Sequence, residues 1–189
     1  MKPFSVLAVG LVAIGLALGQ SSAGWTTLLD GSTLNGWNVV GDANWKAAGG
    51  VVEATTGTGY LVSAASYKDF ELKVEFWVDG PANSGVFVRC SNPKEIAANN
   101  SYEVNIYDTR PDPKFATGSI VDVAPPLTPM KAANRWNTFE ITARGGRLTV
   151  TLNGTKTVDV QDTKFAQGPI ALQHGAGIVR FRNVQIRPL

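Results

Sequence analysis

The sequence has little of what covalent crosslinking requires. Cys90 is the only cysteine among 189 residues, so no disulfide bond can form within the chain. A fold without such a crosslink must be held together by packing, and this chain is long enough to bury a proper core. We therefore interpret Cys90 as a small buried apolar residue and not as a nucleophile.

The chain also lacks the charge excess of proteins that bind nucleic acids or anionic membranes. It carries 17 Lys and Arg against 15 Asp and Glu. A net charge this close to zero provides no long-range field that would attract a polyanion. We expect neither a nucleic-acid partner nor a membrane surface as a partner.

The N-terminal segment, residues 1–23, has the features of a secretory signal peptide. Lys2 precedes an uncharged apolar run, FSVLAVGLVAIGLAL at 4–18, and the small residues SSA stand at 21–23. The run is shorter than the roughly 20 residues that span a bilayer, which argues against a retained anchor. The sequence predicts export, to the periplasm or as a secreted protein, with no membrane span after cleavage. The mature chain, 24–189, has the length of one domain.

Amphipathic helices longer than a turn or two are missing from the mature sequence. It contains instead many short runs in which apolar and polar residues alternate, separated by turn residues. Strands at this spacing, without helices between them, are typical of antiparallel sandwiches and jelly rolls. We predict an all-β fold, an antiparallel β-sandwich of the jelly-roll class.

Local patterns predict several details of this sandwich. In FELKVEFWV (70–78) every second residue is apolar and faces the core, while Trp77 lies on the other, polar side. The alternation in the last strand shifts near Arg182-Asn183, which indicates a β-bulge. The Asn-Gly pair at 153–154 predicts a type I′ hairpin, and the Gly-Gly pair at 145–146 predicts another hairpin.

The segment 109–135 is unusually long for a connection and holds five of the ten prolines. Connections of this length in compact domains are usually functional or disordered. Because the segment directly follows the strand SYEVNIYD (101–108), one interpretation is a cover over a site on that strand. The other interpretation is a poorly ordered excursion.

The strand SYEVNIYD carries two carboxylates, Glu103 and Asp108, which suggest a glycosidase acid pair. Such a pair needs its carboxyl groups about 5–5.5 Å apart for retention of configuration, or roughly 6.5–9.5 Å apart for inversion. Five residues of extended strand separate the two backbones by about 16 Å. The two side chains also point to opposite faces of a regular strand. The spacing therefore excludes this pair and leaves Glu103 on a polar face with Asn105 and Tyr107.

A neighbouring strand, NSGVFVRC (83–90), offers a cation for this face. If it pairs with 102–108, Arg89 and Glu103 share one side of the sheet, where the guanidinium fork would keep the carboxylate ionised and oriented. An ordinary structural salt bridge explains the same pattern.

The end of the strand GPIALQH (168–174) supplies two further candidates. His174 is the only histidine, and its parity with Ile170 and Leu172 favours the inner face. Gln173 points the opposite way, towards the polar face, where its amide would bind sugar hydroxyls.

No cofactor is predicted. The sequence contains no His/Cys cluster that would hold a transition metal, and the spacing of Asp108 and Asp112 gives only weak support for structural calcium.

Five tryptophans are many for a chain of this size. Aromatic rings stack on the apolar faces of sugars while polar neighbours bind the hydroxyls. We predict Trp77, on the polar side of its strand, and Trp45 as sugar-stacking residues.

Taken together, several motifs resemble the DUF1080 family, also called the 3-keto-disaccharide hydrolase domain family. The motifs are GWTTLLDGSTLNGWNV, NSGVFVR, YEVNIYD, RWNTFEI, LNG and GPIALQ…VRFRNVQIRPL, and they extend in order over the mature chain. The resemblance implies a concanavalin-like jelly roll, exported by bacteria, that acts on sugars already oxidised to a ketone at C3.

The resemblance also implies residue roles. A 3-ketone acidifies the proton on C2, so a single base can remove it and the C1 leaving group can be expelled. Glu103 matches the Glu of the family's YEVxI motif and is assigned as the base. Arg89 matches the Arg of the SGxFxR motif and is assigned as the clamp on the oxyanion or a hydroxyl. Asp108 would orient the substrate or the segment 109–135.

Two departures from the family pattern bear on function. Many members carry LQDHG where this chain has LQHGAG, and many have Gln where this chain has Asn105. Three functions stay open at this level. They are cleavage of 3-keto-glycosides, non-catalytic carbohydrate binding, and a surface protein that uses the sandwich as an interaction platform. The sequence does not identify the sugar or an oligomeric state.

Overall fold

A computed structural model describes residues 24–189 of the chain. The predicted signal peptide, residues 1–23, lies outside the described residues. No helix within 24–189 is long and apolar enough to cross a membrane.

The described chain is built from strands, with two short 3₁₀ turns at Ala98–Asn100 and Pro113–Phe115. Thirteen strands follow one another: β1 (Thr26–Leu29), β2 (Trp37–Gly41), β3 (Lys46–Ala48), β4 (Val51–Ala54), β5 (Gly59–Tyr67), β6 (Phe70–Val78), β7 (Ser84–Val88), β8 (Tyr102–Ile106), β9 (Trp136–Arg144), β10 (Arg147–Leu152), β11 (Thr155–Gln161), β12 (Gly168–His174) and β13 (Val179–Pro188).

The strands form two antiparallel sheets. The larger has the order β11-β10-β9-β6-β13-β4-β3, with β1 paired to β13. The smaller has five strands in the order β2-β5-β12-β7-β8. This arrangement confirms the predicted all-β antiparallel sandwich. Since β5 pairs with β12 and β6 with β13, residues far apart in sequence become cross-strand neighbours.

The hydrophobic core lies between the two sheets. The alternate residues of β6, from Phe70 to Phe76, are fully buried, as their pattern predicts. Phe76 stacks on Phe139 of β9 with ring centroids 4.8 Å apart. Cys90 is buried, and burial raises the pKa of its thiol to about 12, so the thiol stays protonated and unreactive.

The predicted turns and the bulge are confirmed. Asn153 and Gly154 both have positive φ, 50° and 80°, which is the conformation that a type I′ turn requires. Gly145 and Gly146 connect β9 to β10. The register between β13 and β6 shifts after Arg182, and Asn183 adopts a φ of 48°.

The segment 109–135 protects a sheet edge. Part of it pairs antiparallel with β8, since Asn105 N–H donates to Ser119 O and Val121 N–H donates to Glu103 O. An exposed strand edge is a template for aggregation, and such a covering segment removes it. The segment is therefore neither a loose excursion nor a simple cover over the polar face.

Candidate active site

The candidate site lies on the face of the five-stranded sheet that points away from the core. Two cross-strand rows of side chains cross this face. The first row contains Val40, Tyr60, Gln173, Gly85 and Asn105, and the second contains Asn38, Val62, Ala171, Phe87 and Glu103. Between β12 and β7, Ala171 pairs with Phe87 and Leu172 with Val86, and the same register sets Gly85 opposite Gln173.

A loop after β7 covers part of this face. Ile96 packs against the apolar residues of the second row and Cys90. Beside it remains a cleft of about 450 Å³, whose lining side chains include Tyr60, Asn83, Glu95, Ile96 and Gln173. The cleft thus combines an apolar wall with a few polar groups, as small-molecule sites usually do.

Glu103 is the outstanding carboxylate of this face. Its side chain is only 8% exposed, and within residues 24–189 it has neither a hydrogen-bond donor nor an ion-pair partner. Burial raises the pKa of Glu103 from 4.5 to about 7, while the positive charge of Arg110 opposes this increase and the negative charge of Asp122 adds to it. A carboxyl group that titrates near neutral pH is suited to accept a proton from a substrate.

Gly85 creates the space that Glu103 occupies. A Cβ built at Gly85 would lie 3.3 Å from Glu103 Cγ and 3.4 Å from its Oε1. Gly85 does not have a positive φ, so its backbone conformation does not require glycine. Glycine is needed here because a side chain would take the space that the Glu103 side chain fills.

Two amide side chains beside Glu103 have oxygens with no donor. Gln173 Nε2 contacts Tyr60 Oη at 3.4 Å, whereas Gln173 Oε1 is buried and has no hydrogen-bond partner. Asn105 Nδ2 donates to Phe115 O, and its Oδ1 is likewise buried and unpartnered. Buried acceptors without donors are uncommon. Gln173 lines the cleft, so its oxygen suits a ligand that carries hydroxyl groups, whereas Asn105 is fully buried beneath the segment 109–135 and does not line the cleft. Tyr107 lies just beyond the end of β8 and is half-buried.

Arg89 is not part of this site, contrary to the sequence-based assignment. Strand β7 ends at Val88, and Arg89 adopts a φ of 54°, so its side chain leaves the alternating pattern of the strand. The guanidinium is 1% exposed and donates to Lys68 O, Gly145 O, Phe165 O and Asp69 Oδ1. All of these acceptors are structural, and none belongs to Glu103. Arg89 holds three loops together and is not available as an oxyanion clamp.

Asp108 also has a structural role and not a ligand-facing one. Its carboxylate accepts hydrogen bonds from the backbone N–H groups of Ala132 and Ala133 and from Thr117 Oγ1. These bonds fasten the middle and the C-terminal end of the segment 109–135 to the residue Asp108, which follows β8. They also occupy the oxygens that a calcium ion would use, and no group of three or more His, Cys, Asp or Glu side chains in 24–189 is arranged to hold a metal ion.

Trp45 and His174 belong to the core. Trp45 is buried, with its ring 6.2 Å from that of His174 in an edge-on arrangement. His174 is 2% exposed, and its Nδ1 and Nε2 lie 2.9 Å from Gly57 O and Gly177 O, respectively. The Trp45 ring is therefore unavailable to stack on a sugar, which corrects its assignment as a substrate-binding residue. His174 borders the cleft, but backbone oxygens already occupy both of its ring nitrogens.

Trp77 lies on the other sheet. It is on the outer face of β6, where the Arg180 guanidinium stacks 4.4 Å from its ring centroid. Arg180 in turn forms an ion pair with Glu53 on the neighbouring strand β4. Trp77 therefore faces away from Glu103 and cannot contribute to the same site.

Comparison with known proteins identifies the family. The model of the 3-keto-alpha-glucoside-1,2-lyase-like domain matches residues 24–187. The chain belongs to this family. It is 25% identical to a 3-keto-disaccharide hydrolase of Bacteroides thetaiotaomicron, over 92% of this chain and 81% of that protein.

Solved structures show the same fold. A crystal structure of a candidate glycosyl hydrolase from Parabacteroides distasonis aligns with a TM-score of 0.78 at 20% identity, covering 88% of this chain and 94% of that one. A second one from the same organism aligns at 0.74 with 27% identity, covering 87% and 99%. The carbohydrate-binding module CBM66 of Bacillus subtilis aligns at 0.63 with 21% identity, covering 80% and 95%. These likenesses confirm the jelly-roll class.

Of the site residues predicted from family motifs and parity, the structure brings Glu103, Asn105 and Gln173 to one face. Tyr60 and Gly85 were missed. The alternation in the run GYLVS puts Tyr60 and Leu61 on opposite faces. Because Val62 shares the face of Tyr60 and Ser63 that of Leu61, the pattern does not mark the face of Tyr60 as polar. Its proximity to Gln173 depends on the β5–β12 pairing, which no local pattern reveals.

Proposed function

We propose that this protein cleaves the glycosidic bond of 3-keto-sugars and that Glu103 is the base that removes the proton on C2. One observation carries the proposal. Glu103 is a buried carboxylate, unpaired within the described residues, with a pKa near 7. It lies over Gly85, whose cross-strand neighbour Gln173 lines the cleft. Family membership and the Bacteroides relative named 3-keto-disaccharide hydrolase support the substrate class.

The chemistry needs only one carboxylate. Glu103 accepts the C2 proton, and the electron pair of the C–H bond forms the enolate of the C3 ketone. The enolate then collapses, so that the C3 carbonyl is restored, a C1–C2 double bond forms, and the C1–O bond breaks. The leaving oxygen takes up a proton and departs as an alcohol. Water adds across the double bond, with its hydroxyl on C1 and its proton on C2, which gives net hydrolysis.

An acid-pair glycosidase would need a second carboxyl held against the same bond. Glu95 lines the cleft, but it is exposed on the covering loop. Of these two carboxylates, Glu103 is the one that is buried. A single buried carboxylate can act as the base on a substrate that is already activated by a ketone.

The test is turnover of a 3-keto-disaccharide by the mature protein. Glu103→Gln keeps the shape of the side chain and removes the base, so we expect a fall in kcat of about 100-fold or more, within the usual contribution of a general base. Glu140→Gln is the matched control, because Glu140 is exposed on the other sheet and paired with Lys73. Wild-type turnover by Glu103→Gln would refute the role of Glu103.

Non-catalytic carbohydrate binding is the second candidate. The unpartnered amide oxygen of Gln173 in the cleft favours it, since such an acceptor can bind a hydroxyl group without any reaction, and so does the likeness to a carbohydrate-binding module. Calorimetry that detects sugar binding, together with no product from any 3-keto-disaccharide, would establish this function in place of the first.

Export is part of the proposal, on the basis of residues 1–23. Mass spectrometry of the protein recovered from its host decides this point. A mature N-terminus near Gly24 is expected, and recovery of the intact chain in the cytoplasm would contradict export.

A further inference from the structure

Tyr60 lies on the same outer face of the five-stranded sheet as Glu103, with β12 and β7 between their two strands. It lies on β5, and its ring meets the ring of Phe87 edge-on, with centroids 5.3 Å apart and the planes at 90°. Phe87 is the direct cross-strand partner of Glu103. The phenol therefore has little rotational freedom at the floor of the cleft, where Gln173 is its neighbour on β12.

Tyr60 and Gln173 together have one hydrogen-bond donor and one acceptor without a partner in the described residues. Gln173 Nε2 donates to Tyr60 Oη at 3.4 Å, so the phenol oxygen is already an acceptor. Within the described residues, the hydroxyl proton of Tyr60 has no acceptor, and Gln173 Oε1 has no donor. A neutral phenol and a neutral amide thus present an O–H and a C=O side by side.

That pair is complementary to an α-hydroxy ketone, whose carbonyl oxygen accepts a hydrogen bond and whose hydroxyl donates one. We propose that Tyr60 donates to the C3 ketone oxygen of the substrate, and to the enolate oxygen that forms there, while Gln173 Oε1 accepts from a flanking hydroxyl. This inference rests on the proposed function and replaces Arg89, which the structure commits to other contacts, as the group that stabilises the oxyanion.

The protonation state of Tyr60 suits this role. Burial raises the pKa of Tyr60 above 10, the hydrogen bond from Gln173 opposes this increase, and the negative charge of Glu103 adds to it. The phenol therefore stays protonated at neutral pH. As Glu103 accepts the C2 proton, negative charge develops on the ketone oxygen, and a preorganised O–H donor stabilises that charge more than the neutral ketone. The proton stays on Tyr60 throughout, so the step balances without another group.

Exchange of the C2 proton tests this role apart from bond cleavage. The probe is 3-keto-glucose in D₂O, with loss of the C2–H signal followed by NMR. Tyr60→Phe should slow exchange by about 100-fold, the size expected for one oxyanion donor. It should also lower kcat on a 3-keto-disaccharide with little change in KM, because the hydrogen bond strengthens as charge develops.

Tyr67→Phe is the matched control. Tyr67 is also half-buried on β5, but its ring packs edge-on to Phe70 of the core, 6.3 Å away. The Tyr67→Phe variant should exchange the C2 proton of the probe and cleave the 3-keto-disaccharide at the wild-type rates. If Tyr60→Phe also matches the wild type while Glu103→Gln is inactive, the role of Tyr60 is wrong and the proposed function stands.

The remaining outcomes are also decisive. Exchange without cleavage, slowed in Tyr60→Phe, would support this inference and contradict the proposed function. Absence of both exchange and cleavage in the wild type would overturn both. If Tyr60→Phe does not fold, Gln173→Met replaces it. Loss of the amide should raise KM by about tenfold, which corresponds to one lost hydrogen bond to a hydroxyl. An unchanged KM would refute the proposal that Gln173 and Tyr60 bind the substrate together.

Discussion

The carboxylate of Glu103 lies directly over Gly85, so close that a methyl group on Gly85 would be 3.4 Å from Oε1. The two residues are on adjacent strands, β8 and β7, and neither alone explains the site. Glycine provides the room, and the neighbouring side chains exclude the water that would otherwise keep the carboxyl group acidic.

Gly85→Ala tests this relationship. The added Cβ is accommodated only if Glu103 shifts by a few tenths of an ångström, because Phe87 Cε2 is also just 3.2 Å away. We expect kcat on a 3-keto-disaccharide to fall by about tenfold or more, since small misplacements of a catalytic group are costly. Gly80→Ala, where no atom lies within 4 Å of the new Cβ, is the control. Equal rates for both variants would show that Glu103 tolerates displacement.

The pH dependence of turnover reports the ionisation of Glu103. With a pKa near 7, the active carboxylate is mostly protonated at pH 5, so kcat/KM should be about 100-fold below its plateau there. The profile should rise with pH, pass its midpoint near pH 7 and level off above about pH 8. A flat profile between pH 5 and 8 would contradict Glu103 as the base.

Two charges near Glu103 should move the midpoint of the pH profile of kcat/KM in opposite directions. Arg110 lowers the pKa of Glu103 and Asp122 raises it. Removing the cation in Arg110→Gln should therefore shift the midpoint upward, whereas Asp122→Asn should shift it downward. A titration of kcat/KM for both variants checks the signs, and shifts in the same direction would contradict this assignment.

The buried carboxylate should also cost stability at alkaline pH. The folded-state pKa is raised above the unfolded value of 4.5, so folded protein binds the proton more tightly and stability falls as pH rises from about 4.5 to 7. The shift corresponds to about 3 kcal/mol. Glu103→Gln should consequently be more stable than the wild type at pH 8 and nearly equal at pH 4. Urea unfolding at both values measures this, and a destabilised variant at pH 8 would contradict the desolvation argument.

Arg89 should affect stability and not catalysis. A lysine at position 89 cannot reach the four acceptors that the guanidinium fork satisfies. We expect Arg89→Lys to lower the free energy of unfolding by about 3 kcal/mol, as for other broken buried networks. Activity per folded molecule should change less than a few-fold. A large fall in kcat without loss of stability would restore the catalytic role that the motif suggested.

Local sequence patterns were sufficient for the architecture. The alternation of apolar residues in 70–78 identifies the core-facing side of that strand, and the Asn153-Gly154 pair predicts a hairpin. Both features depend on short-range geometry, so a local pattern reveals them. The bulge at Arg182-Asn183 was visible for the same reason. Glu103 was found from its place in the strand SYEVNIYD together with its match to the family's YEVxI motif.

The same reasoning failed where a side chain left its strand or found a partner across the fold. Arg89 was assigned to the polar face by parity, but parity ends where the strand ends, and a φ of 54° turns the residue away. Trp77 does lie on the polar side of β6, yet on the sheet opposite Glu103. Alternation determines which side of a strand a residue occupies and does not determine which sheet that strand joins.

The residue pattern is enough to predict an antiparallel sandwich with the carboxylate Glu103 on a polar strand face. The protonation behaviour of Glu103, in contrast, follows from how the chain packs around it. Its pKa near 7 depends on burial by chain segments that are distant in sequence. The contact between Tyr60 and Gln173 joins residues 113 positions apart. Such long-range contacts leave no local periodicity, because they arise from how strands pair and not from how one strand is patterned.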